Sequence, residues 1–163
     1  GTEKGRDNIG NDIPPEEINI IKESLDYGWP ICYGNKIHDS DFDKNVYVRN
    51  PCEDPEAPVF EMQAHSAPLG LVFYDGNMFP EEYNGDLFVA FHGSWNRNPA
   101  TGYKVVRIKI EDNLPVSAED FASGWLQGNV VKGRPVDVIV TKDGSLLVSD
   151  DNSGKIYRIM YGS

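Results

Sequence analysis

An all-β fold of the β-propeller kind is what this sequence predicts, on three observations. Its apolar runs are short and rich in Val, Ile, Tyr and Phe, at 69–74, 87–91, 104–110, 136–141, 146–149 and 156–161, which is how strands read. The 16 glycines and 11 prolines are scattered along the chain as turn formers. A three-strand unit also occurs twice in the same order. Pro68-Leu-Gly-Leu-Val-Phe-Tyr resembles Pro135-Val-Asp-Val-Ile-Val-Thr, Gly85-Asp-Leu-Phe-Val-Ala resembles Gly144-Ser-Leu-Leu-Val-Ser, and Gly102-Tyr-Lys-Val-Val-Arg-Ile resembles Gly154-Lys-Ile-Tyr-Arg-Ile. Successive strands with tight turns, repeated, are the mark of propeller blades.

The offset between copies falls from 67 residues (Pro68 to Pro135) to 59 (Gly85 to Gly144) and 52 (Gly102 to Gly154), so the first copy carries two insertions. A four-stranded blade spans ~40–50 residues. The chain therefore holds about three blades, counting a less regular one before Pro51. Three do not close a ring, since propellers use four to eight. Either further blades complete it or copies assemble, and the first is expected. Only 14–24, which has a helix-like start but the β-branched Ile18, Ile20 and Ile21, and 117–121, one turn at most, compete as helix.

With 26 acidic against 15 basic residues and a net charge of −11, nucleic acid and anionic membranes are poor partners, because both need a basic face. Cation binding is permitted. No apolar run approaches the ~20 residues of a membrane helix. The chain opens on Gly1-Thr-Glu-Lys-Gly without Met, so it looks trimmed and the compartment is not read from its start. Cys32 and Cys52 are too far apart for a redox pair and too few for zinc. A disulfide closing that loop would contribute roughly 3 kcal/mol and imply an oxidising compartment. The alternative is two free thiols.

Strands of a blade run up and down, so successive turns lie on opposite faces. The loops 64–68, 92–98, 132–135 and 150–153 then share one face. They bring His65, His92, Arg97, Arg134, Trp95 and Asn96 together, a set suited to a planar polyanion. Each has a plainer reading. Arg134, Arg97 and Asn96 read equally as solvated loop residues. Trp95 reads as filling a gap between blades, and Arg107 and Arg158, at equivalent strand positions, as pairing between blades. His38 reads as a surface residue. Asp39-Ser-Asp41-Phe-Asp43-Lys-Asn45 imitates an EF-hand start but has Lys44 at position six and Asn50 at position twelve. Asp7 with Asp12, after Gly5-Arg6, could hold calcium or form an acidic loop.

Seven motifs in order resemble one family: Gly5-Arg6-Asp7-Asn8-Ile9-Gly10, Glu17-Ile18-Asn19, Tyr27-Gly28-Trp29-Pro30, His65-Ser66-Ala67-Pro68-Leu69-Gly70, His92-Gly93-Ser94-Trp95-Asn96-Arg97, Gly133-Arg134-Pro135-Val136-Asp137 and Ser149-Asp150-Asp151. Together they resemble the soluble pyrroloquinoline quinone (PQQ) dependent glucose/sorbosone dehydrogenases, over nearly the whole chain. The resemblance implies a six-bladed propeller with PQQ and calcium on one face and a sugar substrate oxidised by hydride transfer. Residues 1–163 would be the C-terminal part of that domain, in a periplasmic or secreted protein. It implies cofactor contacts from Arg134, Arg97, His65, Asn96 and Arg6, and calcium near Gly5 and Asp7. The family's catalytic His lies in the N-terminal half, which has no counterpart here. The chain alone is therefore expected to be inactive and to need the remaining blades. The competing readings are a non-catalytic propeller binding module and a calcium-dependent lactonase-type hydrolase.

Overall fold

The computed structural model describes residues 1–162. The chain is all-β, and its only helical turn among the described residues is the 3-10 turn Glu81–Tyr83. The first sheet joins β1 (Thr2–Glu3), β2 (Glu16–Ile18) and β5 (Phe60–Met62), with the small hairpin β3 (Cys32–Tyr33) and β4 (Ile37–His38) inserted between β2 and β5. The second is a four-stranded meander of β6 (Pro68–Phe73), β7 (Leu87–Phe91), β8 (Lys104–Glu111) and β9 (Leu114–Ala122). A hairpin of β10 (Leu126–Gln127) and β11 (Val130–Val131) leads into the third sheet: β12 (Pro135–Val140), β13 (Leu146–Asp150) and β14 (Lys155–Ile159). These three sheets are the blades, and none closes on itself.

Two expectations are corrected. The irregular first blade does not end before Pro51, because its third strand is Phe60–Met62. The helical readings fail as well. Residues 16–18 form β2, where β-branched Ile18 suits a pleated surface, and 117–121 lie inside β9.

Alternation along each strand decides which blade it packs against. On β7, Leu87, Val89 and Phe91 join Ile18, Met62, Val106 and Ile108 in the core between blades one and two. Phe88 turns the other way, into the core with Tyr74, Phe79, Trp125, Val138, Leu146 and Val148 between blades two and three. A strand buried on both faces needs an unbroken apolar run, and Leu87–Phe91 is one. On β13 only Leu146 and Val148 reach that core. The opposite face of blade three leaves Ile139 and Ile156 exposed.

Both repeated blades begin with the same irregularity. The register shifts between Pro68 and Leu71 against β7, and between Pro135 and Val138 against β13. Proline opens each strand because it has no N–H to give to a ladder. The resulting bulges re-aim the loops just before them.

Arg107 and Arg158 do not pair between blades. Arg107 donates through Nε to Asp86 at 2.6 Å and through Nη1 to Glu119 at 3.0 Å, and it stacks over Tyr83. Arg158 donates to Ser145 and Asp143. All these partners belong to the arginine's own blade, so the repeated arginine ties a strand to the turn that precedes its neighbour.

Cys32 and Cys52 form a disulfide. It closes the least regular part of the chain, so replacing both with Ser should cost about 3 kcal/mol, read by urea denaturation.

Strand register lines up Glu3, Glu17 and Glu61 across blade one. Burial, followed by the Glu17 carboxylate beside it, pushes Glu3 up to about 7. A carboxyl raised in the folded state stabilises below its unfolded value of 4.5, and that contribution is lost as pH rises through about 7. Melting temperature should therefore fall across that window. Glu3→Gln should flatten the fall and melt higher than the parent at pH 8; an unchanged slope would count against the shared-charge picture.

Candidate functional site

The four loops read as sharing a face do converge. Gly93 N–H donates to the Ser66 carbonyl and His92 N–H to the Ala67 carbonyl, each at 2.9 Å, stitching loop 64–67 to loop 92–93. Arg134 reaches the same place from blade three. Its Nη1 donates to the Gly93 carbonyl at 3.2 Å and to His92 Nδ1 at 3.4 Å, its Nη2 to the Tyr103 hydroxyl at 3.2 Å, and its fork lies over the Tyr103 ring. His92 Nε2 in turn donates to Asp151 at 3.0 Å. An imidazole that accepts at Nδ1 and donates at Nε2 is the neutral Nε2–H tautomer. The cluster thus holds a half-buried arginine engaged by Gly93, His92 and Tyr103, with His92 bridging it to Asp151.

Asp150 sets the position of Arg134. It is 3% exposed and accepts the backbone N–H groups of Arg134 and Ser153, both at 2.9 Å, and the Ser153 hydroxyl at 2.7 Å. Burial alone would raise its pKa. The hydrogen bonds from Arg134 and Ser153 outweigh that and hold the carboxyl below its ordinary range. Gly133 is obligatory beside it, since a Cβ there would run into the Asp150 carboxylate and the Trp125 ring.

The other expected residues form the floor of the face rather than its surface. His65 is 2% exposed and donates from Nε2 to the Gly10 carbonyl at 2.7 Å. Asn96 Nδ2 donates to Asp7 Oδ1 at 3.0 Å, and Lys4 Nζ to Asp7 Oδ2 at 3.0 Å. Arg97 pairs with Asp12 at 3.0 Å and donates to the Asn11 carbonyl at 2.7 Å. Arg6 spends Nε and Nη2 on Asp39, at 2.6 and 2.9 Å, and this bond holds the Asp39 carboxyl below the usual range. The EF-hand imitation therefore resolves into an ion pair and turn caps. Asp39 and Asp43 accept backbone N–H groups within it, and Asp43 also takes the Tyr47 hydroxyl and His38 Nε2.

Trp95 departs from its expected role. It fills no gap between blades but stands 64% exposed on the functional face. Glu16, by contrast, has a structural role that the sequence reading missed. It is 1% exposed and accepts Gly5 N–H at 3.0 Å on Oε2 and Ala67 N–H at 2.9 Å on Oε1. The signal was the Glu16-Glu17 doublet, because adjacent strand residues point to opposite faces and a strand between two layers must bury both. Among the described residues no group of three or more His, Cys, Asp or Glu could hold a metal ion.

Blades stacked side by side, with charged and aromatic loops gathered on one face, define part of a β-propeller. The chain belongs to the TrAA12-like family, which it matches over residues 3–162. It is 41% identical to an uncharacterized protein of Borreliella burgdorferi over 98% of this chain and 42% of the relative. It is 35% identical to the pyrroloquinoline quinone-dependent pyranose dehydrogenase of Coprinopsis cinerea over 63% of this chain and 16% of the relative. Among solved structures it superposes on the calcium structure of the Trichoderma reesei family AA12 enzyme with a TM-score of 0.74 at 22% identity, covering 94% of this chain and 44% of that one. It superposes on the holo PQQ domain of the Coprinopsis dehydrogenase with a TM-score of 0.68 at 25% identity, covering 97% and 48%. The chain spans less than half the length of each of these proteins.

Asp150→Ala should strand two buried N–H donors and cost about 1–3 kcal/mol. Hydrogen exchange should show the Arg134 and Ser153 amides losing protection together. Protection kept at Arg134 would mean another group positions it.

Proposed function

We propose that this chain is the C-terminal part of a six-bladed, PQQ- and calcium-dependent sugar dehydrogenase, periplasmic or secreted, and that it supplies one side of the cofactor face. The observation that carries the reading is the convergence of Arg134, His92 and Tyr103 on the loop face of a TrAA12-like chain. A planar polyanion fits there. The Arg134 fork can take a carboxylate, the partly exposed His92 ring lies beside it, and the net charge of −11 makes a local cationic group selective. PQQ, when bound, accepts the hydride that leaves the sugar carbon.

The chain's own groups bind and orient. Arg134 is the direct contact. Arg97, Asn96, His65 and Arg6 brace the rim through Asn11, Asp7, Gly10 and Asp39, and the buried Arg97 Nε and Asn96 Oδ1 have no partner, which leaves polar capacity at this edge. For calcium the fit is partial. Gly5 and Asp7 border the place, but both Asp7 oxygens already accept hydrogen bonds and no three-ligand group surrounds them. No step is therefore assigned to the ion here. None of His38, His65 and His92 is assigned as the base that removes the sugar's hydroxyl proton. That group and the ring's closure are assigned to the remaining blades.

Calorimetric titration of PQQ, with and without calcium, into this chain and into the complete ring tests the reading. Calcium-dependent binding that Arg134→Ala weakens by about 1.5–3 kcal/mol, the range for a hydrogen bond to a charged group, is expected. Binding by the complete ring alone would mean that both halves form the site. No binding by either would leave a propeller used for recognition.

A further inference from the structure

Residues 92–103 join β7 to β8, whereas the repeat joins β13 to β14 with residues 151–154. The blade therefore does not need the longer loop. Its insertion is nonetheless anchored on both sides of a single residue. Before Trp95, Ser94 is buried. It donates its N–H to the Thr101 carbonyl at 2.9 Å and accepts the Thr101 N–H on Oγ at 2.9 Å, while the Tyr103 hydroxyl donates to its carbonyl. After Trp95, Asn96 is fixed to Asp7 and Arg97 to Asn11 and Asp12. Asn98 exchanges hydrogen bonds with Asn11. The residues on each side are held, Ser94 and Asn98 through backbone groups and Asn96 and Arg97 through side chains, and the indole between these anchors is left 64% exposed. Trp125 shows the ordinary alternative in this fold, buried edge-on against Tyr157.

An exposed indole on a rigid loop forgoes much of the burial that a Trp side chain normally contributes. A ligand with a flat apolar face recovers that contribution with little ordering cost, because the loop is already ordered. The contacts that anchor this insertion also bring exposed groups that pair with hydroxyls: Asp12 on Arg97, Asn98 on Asn11 and Asp151 on His92. We infer that Trp95 is a saccharide-stacking residue. The C–H face of a sugar ring packs on its indole while the rim carboxylates and amides take the hydroxyls. The assignment rests on the sugar-oxidising reading and deepens it by giving this chain a specificity residue distinct from the cofactor contact Arg134.

The test uses this chain with Trp29→Phe, which leaves exposed Trp95 and buried Trp125 as the two indole reporters. Aldoses and short oligosaccharides are titrated by fluorescence and by saturation-transfer NMR, with PQQ binding measured in parallel. A saturable quench or blue shift is expected with at least one sugar. Trp95→Ala should weaken that sugar about fivefold to tenfold, in line with an aromatic contact, Trp95→Tyr should recover most of it, and neither should alter PQQ binding. Sugar binding that survives Trp95→Ala unchanged, or the absence of any saccharide effect, overturns the inference. Loss of PQQ binding in both Trp95 variants also overturns it and makes Trp95 a cofactor contact. If PQQ fails to bind while the Trp95-dependent sugar effect persists, the cofactor reading falls and the saccharide site stands.

Discussion

The functional face depends on one buried carboxylate. Glu16 lies in the middle strand of blade one and accepts the N–H of Gly5 on one oxygen and that of Ala67 on the other. Gly5 begins the segment that carries Arg6, Asp7, Gly10 and Asn11, and Ala67 ends the loop that carries His65. Burial raises the Glu16 pKa, and the two backbone hydrogen bonds offset only part of that. The charge is tolerated because both oxygens are satisfied, as a buried polar group requires. This clamp lies beneath the outer contacts by which His65, Asn96 and Arg97 also hold the N-terminal segment against the loops of blade two.

Asp150 repeats the arrangement one blade on. It caps the backbone N–H of Arg134, just before β12, and of Ser153, just after β13, so main-chain geometry places Arg134 together with its side-chain bonds to Gly93, His92 and Tyr103. The two acids also divide the face in a useful way. On the Glu16 side His65, Asn96 and Arg97 are tied to the N-terminal segment, with Asn96 Oδ1 and Arg97 Nε left without a partner. The Asp150 side keeps Arg134 half-buried beside His92, which bridges it to Asp151.

Much of this was legible in the residues, and the reasons are specific. The repeat located β6, β7, β8, β12, β13 and β14 to within a residue or two, because turn glycines and apolar runs mark them on both sides. The up-and-down path of a blade then put Arg134, His92 and Trp95 on one face. Three features were not legible. β9 is nearly all polar on its exposed side, with Ser117, Glu119 and Asp120, so periodicity gave no signal. The partners of Arg107 were misassigned because a turn carboxylate and a neighbouring blade look alike in sequence. Trp95 was read as filling a gap between blades, because an aromatic in a face loop can equally turn inward or stand out. Only its anchored flanks show why it is left outside.

The last sheet has three strands among the described residues, where its repeat has four. Arg158 on its third strand is already held by Ser145 and Asp143, so the charge at that position is spent within the blade and the strand keeps its place by a contact that does not depend on a fourth.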